Sequence, residues 1–292
     1  MSVPNGHFRP GRRLQSPRRQ AVVSGLRSAL GFLTIIPVGS GYRTGTGGLS
    51  SARAWFPAVG VLLGFALAGI DLLLRWVYMA GSGADAQAHP TRHILTAVVL
   101  VTALVAMTRA LHLDGFMDTC DALLGGSSPE HRRRILKDPE VGAFAVAGVV
   151  CLLLLKVAAV SALPDQVRPW ILMLVPCISR GGMLLVMEMF PYVGGDGLGA
   201  AFLKRPGRWQ LIFGTTLAVL AGFALAGPWS LVLLALAFLA AWSIGAFATR
   251  LLGGVTGDIY GAVNETVEAV AFLCAALLSV GAPNVLIPSW YP

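Results

Sequence analysis

Charge is what this sequence has least of. Only 12% of its 292 residues are charged, about half of what soluble globular domains carry. Acid is scarcest at the start, where no Asp or Glu precedes Asp71. Cysteine is sparse too. Cys120, Cys151, Cys177 and Cys274 lie far apart, and the last three sit in apolar runs. That excludes a disulfide framework and zinc-type spacing, and leaves reduced, buried thiols. No run of short alternating strands occurs, which argues against a membrane β-barrel. The basic amino terminus is no convincing signal peptide: the apolar patch after it is short, contains Pro37 and lacks a small-x-small cleavage site.

What the chain does have is apolar length. Hydrophobic residues make up 55%, and mean hydropathy is +0.72. The expected class is all-α, a polytopic integral membrane helical bundle. Candidate spans fall near 54–79, 94–111, 141–163, 170–191, 209–226, 229–251 and 265–282, about seven in all. Residues 21–38 hold Arg27, Gly31 and Pro37, and are expected to form an interfacial or re-entrant helix. The expected domains are a flexible basic arm over 1–20 and a single transmembrane catalytic domain over 21–292.

The net charge of +8 is concentrated in the arm and in two loops, His131-Arg132-Arg133-Arg134 with Lys137, and Lys204-Arg205 with Arg208. Basic loops beside spans mark the cytoplasmic side. This favours contact with the lipid bilayer over nucleic-acid binding. With the arm cytoplasmic, segments 112–140, 192–208 and 252–264 share its side, and all the acidic motifs fall there. The expected location is the bacterial inner membrane with a cytoplasmic active site.

Acid is concentrated in His112-Leu113-Asp114-Gly115-Phe116-Met117-Asp118-Thr119-Cys120-Asp121. The i, i+4, i+7 spacing of Asp114, Asp118 and Asp121 puts three carboxylates within one wedge of a helix. Beside membrane-length segments this suggests a divalent metal, Mg²⁺, holding a phosphorylated substrate. The alternative is a solvated or helix-capping cluster. The basic run that follows suits phosphate oxygens. A second acidic group comprises Asp258, Glu265 and Glu268, with Asp258 and Glu265 seven apart. They could form an opposing acidic wall, or a helix amino-terminal pair favoured by the dipole.

Other charges are candidates as well. Arg180, in mid-span, should bind phosphate or pair with an acid such as Glu188. Lys137 and Asp138 could contact phosphate and metal, or form a surface ion pair. Arg109 precedes the motif by one turn and is a candidate phosphate contact. His112 falls off the aspartate face of a regular helix and is a candidate base or substrate contact. Asp71 and Arg75 should neutralise each other at i, i+4.

The combination of motifs resembles the cobalamin synthase family. It comprises Leu111-His112-Leu113-Asp114-Gly115-x-x-Asp118-Thr119-x-Asp121, Leu136-Lys137-Asp138, and Val141-Gly142-x-Phe144. Phe32-Leu33-Thr34-x-x-Pro37-Val38 and Phe56-Pro57-x-Val59-Gly60 with Gly64 match the family's opening. Ser179-Arg180, Pro191-Tyr192 and Gly197-Leu198-Gly199 match its middle. Gly253-Gly254-x-Thr256-Gly257-Asp258-x-x-Gly261-Ala262-x-x-Glu265 matches its late motif. Ala122 and Ala145 stand where the family usually has Gly, and Asp196 is an extra charge.

The resemblance implies a transferase that joins adenosylcobinamide-GDP to α-ribazole or its 5′-phosphate and releases GMP. It implies Mg²⁺ at Asp114, Asp118 and Asp121, with Asp258 and Glu265 opposite. Arg180 and Lys137 would stabilise the leaving GMP, and Asp258 or Asp121 could take the hydroxyl proton. Association with other enzymes of the pathway is a further expectation. The residues alone leave open another membrane transferase acting on a diphosphate, or an ion-coupled transporter.

Overall fold

The computed structural model describes residues 17–38, 50–87, 91–195, 198–203, 208–282, 285–288 and 290. Helices make up most of these segments, joined by short turns and loops. The chain's first 16 residues, which are most of the expected arm, and Asp196 and Lys204-Arg205 lie outside the described residues. Residues 17–20 of that arm belong to a helix.

The helices are α1 (Pro17–Leu33), α2 (Phe56–Gln87), α3 (Thr91–Met107), α4 (Leu111–Cys120), α5 (Pro129–Ile135) and α6 (Ala143–Ala162). Then come α7 (Arg168–Met189), α8 (Leu198–Leu203), α9 (Arg208–Ala226), α10 (Ser230–Leu252) and α11 (Gly257–Gly281). Five runs are long and apolar enough to cross a membrane, or six if the bent pair α3–α4 counts as one. One of the five, Arg208–Leu252, is a 45-residue helical run that holds two of the expected spans. Gly227, at φ +59°, breaks it, and α9 and α10 pack against each other. The helix α1 has 17 residues and is not among the membrane-length runs.

The expected span 94–111 is corrected at its end. Helix α3 stops at Met107. Arg109 and Ala110 take positive φ, 55° and 54°, and α4 leaves at 93° to α3. No Gly or Pro marks this break. Part of the cost is met by Arg109, whose guanidinium donates to Gly31 O at 3.0 Å. That carbonyl is among those left unpaired at the end of α1. Ile35 N donates to Met107 O at 2.8 Å, tying the two ends together. Because of the bend, α4 lies at the end of the bundle rather than continuing the span.

Helix α7 is the axis of the fold, with 83% of its most apolar stretch buried inside the protein. For α6 that share is 28%. Apolar side chains on the peripheral helices, such as Phe65, Trp76, Leu154 and Ile212, point outward, as lipid-facing residues do. Close approach of α2 to α7 depends on Gly60 and Gly64. A Cβ at either would collide with the α7 backbone at Pro176–Cys177 or at Met173. This is the small-xxx-small packing used between membrane helices.

A second crossing positions the site. A Cβ at Gly115 would sit 2.9 Å from Asp258 O, and one at Gly261 would sit 2.8 Å from His112 O. Two glycines therefore let the backbones of α4 and α11 touch. The amino-terminal ends of the two helices, each bearing an aspartate, are brought side by side.

The far end of the bundle is closed by a charge cluster. Asp71 pairs with Arg75 and with Arg168 Nε at 2.7 Å. Asp165 pairs with Arg168 at 2.6 Å and with Arg92 at 2.7 Å. The expected Asp71–Arg75 pair is present, and it is part of a larger clamp joining α2, α3, α7 and the loop before α7.

Candidate active site

A cavity of about 430 Å³ opens between α4, α5, α7, α11 and the segment after α7. Its wall includes Asp114 and Asp258, the cations Arg133 and Lys137, His112, Thr256, and the aromatic rings of Phe32, Tyr192, Phe202 and Tyr260. Four residues expected at the site, Asp114, Asp258, Lys137 and His112, thus meet at one place. Thr256 Oγ1 donates to Asp258 Oδ2 at 3.2 Å. The segment after α7 is held by a short parallel bridge to the start of α11. There Val193 N donates to Val255 O at 2.9 Å, and Val255 N to Pro191 O at 2.8 Å. That bridge carries Tyr192 to the cavity.

Among the described residues, neither Asp114 nor Asp118 has an ion-pair partner. Asp118 is not on the cavity wall but is close enough to sense its neighbours. Burial, then the charges of Asp114, Asp258 and Asp121, push its carboxyl up to about 6. A group of mutually repelling, unneutralised carboxylates is what a cation would relieve.

The fit to Mg²⁺ rests on this donor chemistry. Among the described residues no group of three or more His, Cys, Asp or Glu side chains is arranged to hold a metal ion, so Asp114, Asp118 and Asp121 do not form the expected three-carboxylate site. Mg²⁺ does not require one: it usually takes one or two carboxylates and completes its shell with water and substrate phosphates. Asp114 and Asp258, with Asp118 behind them, suit that mode.

Several expected site residues are placed elsewhere. Asp121 ends α4, at the start of a π-helical turn over Asp121–Gly125, and does not line the cavity. Both of its oxygens are occupied: Gly142 N donates to one at 2.7 Å and Ala145 N to the other at 2.8 Å. It caps α6, satisfying free N–H groups at that helix's start. This corrects both the metal-ligand and the base expectation for Asp121.

Glu265 does not face the cavity aspartates either. It is buried and paired with Lys156 Nζ at 2.6 Å. Arg180, expected at phosphate, is buried and pairs with Glu268 at 2.5 Å. It does not pair with Glu188, whose partner is Arg53. Lys156 also pairs with Glu268 at 2.7 Å. The result is a closed network of two cations and two anions inside the spans, with Asn264 Nδ2 donating to Glu268 at 3.2 Å. Arg109 is engaged with Gly31 O, as described. Asp138 is exposed, accepts from Glu140 N at 3.1 Å, and does not line the cavity.

His112 departs from expectation in the other direction. It was placed off the aspartate face, yet it lines the cavity with Asp114. It is 2% exposed, and neither ring nitrogen has a partner. Burial first, then the nearby Arg180 charge, push its imidazole down to about 3, so it is neutral.

Sequence reasoning missed Lys156, Tyr260 and the role of Arg133. For Lys156 the signal was there: a lone cation in an apolar span demands an anion. Arg133 donates to Leu252 O at 2.5 Å, which ties the basic helix α5 to the end of α10. Nothing in the local sequence announces that contact.

An apolar helical bundle with a charged, accessible cavity at one end defines a polytopic membrane protein with a polar binding site. Comparison with known proteins narrows this. The family model for cobalamin-5-phosphate synthase matches residues 25–276. Relatives named adenosylcobinamide-GDP ribazoletransferase include that of Desulforamulus reducens, 32% identical over 86% of this chain and 95% of the relative. Those of Ectopseudomonas mendocina and Bradyrhizobium diazoefficiens are 36% and 34% identical over 86% and 89% of this chain, and over 98% and 96% of the relatives. The chain belongs to the cobalamin-5-phosphate synthase family, enzymes of late cobalamin synthesis. No solved structure matches it significantly.

Proposed function

We propose that this protein is a Mg²⁺-dependent adenosylcobinamide-GDP ribazoletransferase, with its cavity facing the cytoplasm from the inner membrane and residues 21–292 acting as one catalytic unit. The observation that carries the proposal is the meeting, in one cavity, of unpaired carboxylates and basic side chains at Asp114, Asp258, Arg133 and Lys137. The family's reaction needs such a pairing, because a diphosphate must be neutralised before an alcohol can approach it.

In the reaction a ribose hydroxyl that is free in both α-ribazole and its 5′-phosphate, and so not the 5′ oxygen, must meet a diphosphate. A new O–P bond forms at the phosphorus nearer cobinamide. The bond from that phosphorus to the bridging oxygen breaks, and GMP leaves with that oxygen. The hydroxyl proton passes to a base, for which Asp258 is the candidate on the cavity wall. The acceptor hydroxyl, the bonds and the proton accounting are the same for the free nucleoside and its 5′-phosphate. Lys137, with Arg133 beside it on the cavity wall, would stabilise charge gathering on the leaving phosphate. Mg²⁺, held by Asp114 and Asp258 with support from Asp118, would supply charge neutralisation at the diphosphate.

The transporter alternative lacks comparable support. The charges Lys156, Arg180, Glu265 and Glu268 within the spans neutralise one another. The test is incubation of the purified full chain with Mg²⁺, adenosylcobinamide-GDP and α-ribazole or its 5′-phosphate. GMP release with formation of the joined corrinoid is expected. No GMP with either acceptor overturns the transferase proposal, and turnover that survives EDTA overturns its metal part.

A further inference from the structure

Helix α5 is weakly held by the rest of the protein. It has seven residues, and none of its side chains is buried. A helix that short is unstable without outside support. Two ties are present: Ser128 Oγ accepts from His131 N at 3.2 Å at its start, and Arg133 reaches Leu252 O. Yet α5 carries Arg133 and is followed directly by Lys137, the cations of the cavity wall. What steadies α5 also sets the basic side of the cavity.

Cations are treated differently at the two ends of the bundle. At the far end Arg75, Arg92 and Arg168 are each ion-paired. At the cavity end, among the described residues, Arg132 and Arg134 on α5 and Arg250 in the last turn of α10 form no ion pair. The neighbouring acids Glu130, Asp138 and Glu140 do not pair with them. Arg134 and Arg250 are exposed, and Arg132 has a buried Nε without a partner.

Exposed apolar side chains border these cations. Leu124 is 57% exposed, Val141 63% and Phe144 48%. Gly125 and Gly126 put the two kinds of group side by side. A Cβ on Gly125 would lie 3.4 Å from the Phe144 ring, and one on Gly126 would collide with Arg132 Cγ. Phe144 is in the first turn of α6, a helix of membrane-spanning length, so this border lies where a span meets the headgroup layer. Solvation of the cations alone would leave the apolar border in water, and a free phosphate would not use it. A phosphate headgroup joined to an acyl chain uses both.

We propose that α5 is a docking element for anionic phospholipid. Headgroup phosphates bind Arg132 and Arg134, acyl chains lie against Phe144 and Leu124, and the bound lipid holds Arg133 and Lys137 at the cavity. The consequence for turnover rests on the transferase reading above; the lipid binding does not.

The test is hydrogen exchange of the α5 amides in the full chain, reconstituted in vesicles of phosphatidylcholine alone or of equal parts phosphatidylcholine and phosphatidylglycerol. Exchange is expected to slow by about tenfold with the anionic lipid. Arg132→Gln with Arg134→Gln should abolish that difference, whereas Arg132→Lys with Arg134→Lys keeps the charges and should keep most of it. In the anionic vesicles the double Gln variant should also show a raised KM for the diphosphate substrate, and in phosphatidylcholine it should match wild type. Equal exchange in the two vesicles overturns the proposal, as does protection that survives in the folded double Gln variant. Equal protection by inorganic phosphate in phosphatidylcholine vesicles overturns lipid as the occupant. Lipid-dependent protection in protein that releases no GMP defeats the transferase assignment and leaves the docking element standing.

Discussion

The cavity and the ionic network inside the spans contain the same chemical groups in opposite states. In the network, Lys156 and Arg180 face Glu265 and Glu268, and charge is balanced without outside help. On the cavity wall, Asp114 and Asp258 face open space with Arg133 and Lys137, and among the described residues no ion pair joins these acids to those bases. The far-end clamp of Asp71, Asp165 and their arginines follows the network's pattern. In a chain this poor in charge, pairing separates the two uses. Neutralised charges hold helices together, and unneutralised ones await a ligand.

The contrast can be broken or sharpened experimentally. The largest effect is expected at Asp114. Asp114→Asn should lower GMP release by about a thousandfold or more while leaving the thermal melt in detergent within a few degrees of wild type. Normal turnover would erase the distinction. Glu268→Gln should do the reverse. It leaves two buried cations with too little anion and should cost about 3–5 kcal/mol of stability, read as a lowered melting temperature. The double change Lys156→Met with Glu268→Gln restores the charge balance, and should recover part of that loss.

A smaller effect concerns pH. Asp118 binds its proton more tightly in the folded protein, at about 6 against an ordinary 3.8. Its contribution to stability is therefore greatest at low pH and declines as pH rises through that window. Cation binding needs the opposite state. The Mg²⁺ concentration for half-activation should be about tenfold higher at pH 5 than at pH 7, and a flat profile would remove Asp118 from the cation's surroundings. The smallest effect is expected at Asp121. Asp121→Ala should cost about 1 kcal/mol or slightly more in stability through lost capping of α6, with Mg²⁺ half-activation unchanged. A large shift in Mg²⁺ dependence would return Asp121 to the metal.

The sequence made the apolar helices legible because hydropathy alone places them. Asp114 and Asp258 were legible as partners because both lie in glycine-bearing motifs beside spans. Other features needed tertiary contact. Asp121 has the spacing of its neighbours, and only the return of Gly142 and Ala145 to its oxygens separates it from them. The break at Arg109–Ala110 has no glycine or proline to announce it; it depends on bonds to residues near the end of α1. Arg180 and Glu265 looked like site residues because Lys156, the cation that completes their network, lies more than a hundred residues from Glu265 in sequence.

The contact of Gly115 with Gly261 bears on how the enzyme tolerates its surroundings. Side chains can repack when a bilayer thins, thickens or changes composition, but two touching backbones cannot approach further. The closest approach of Asp114 and Asp258 is thereby set by main-chain contact rather than by the packing of side chains.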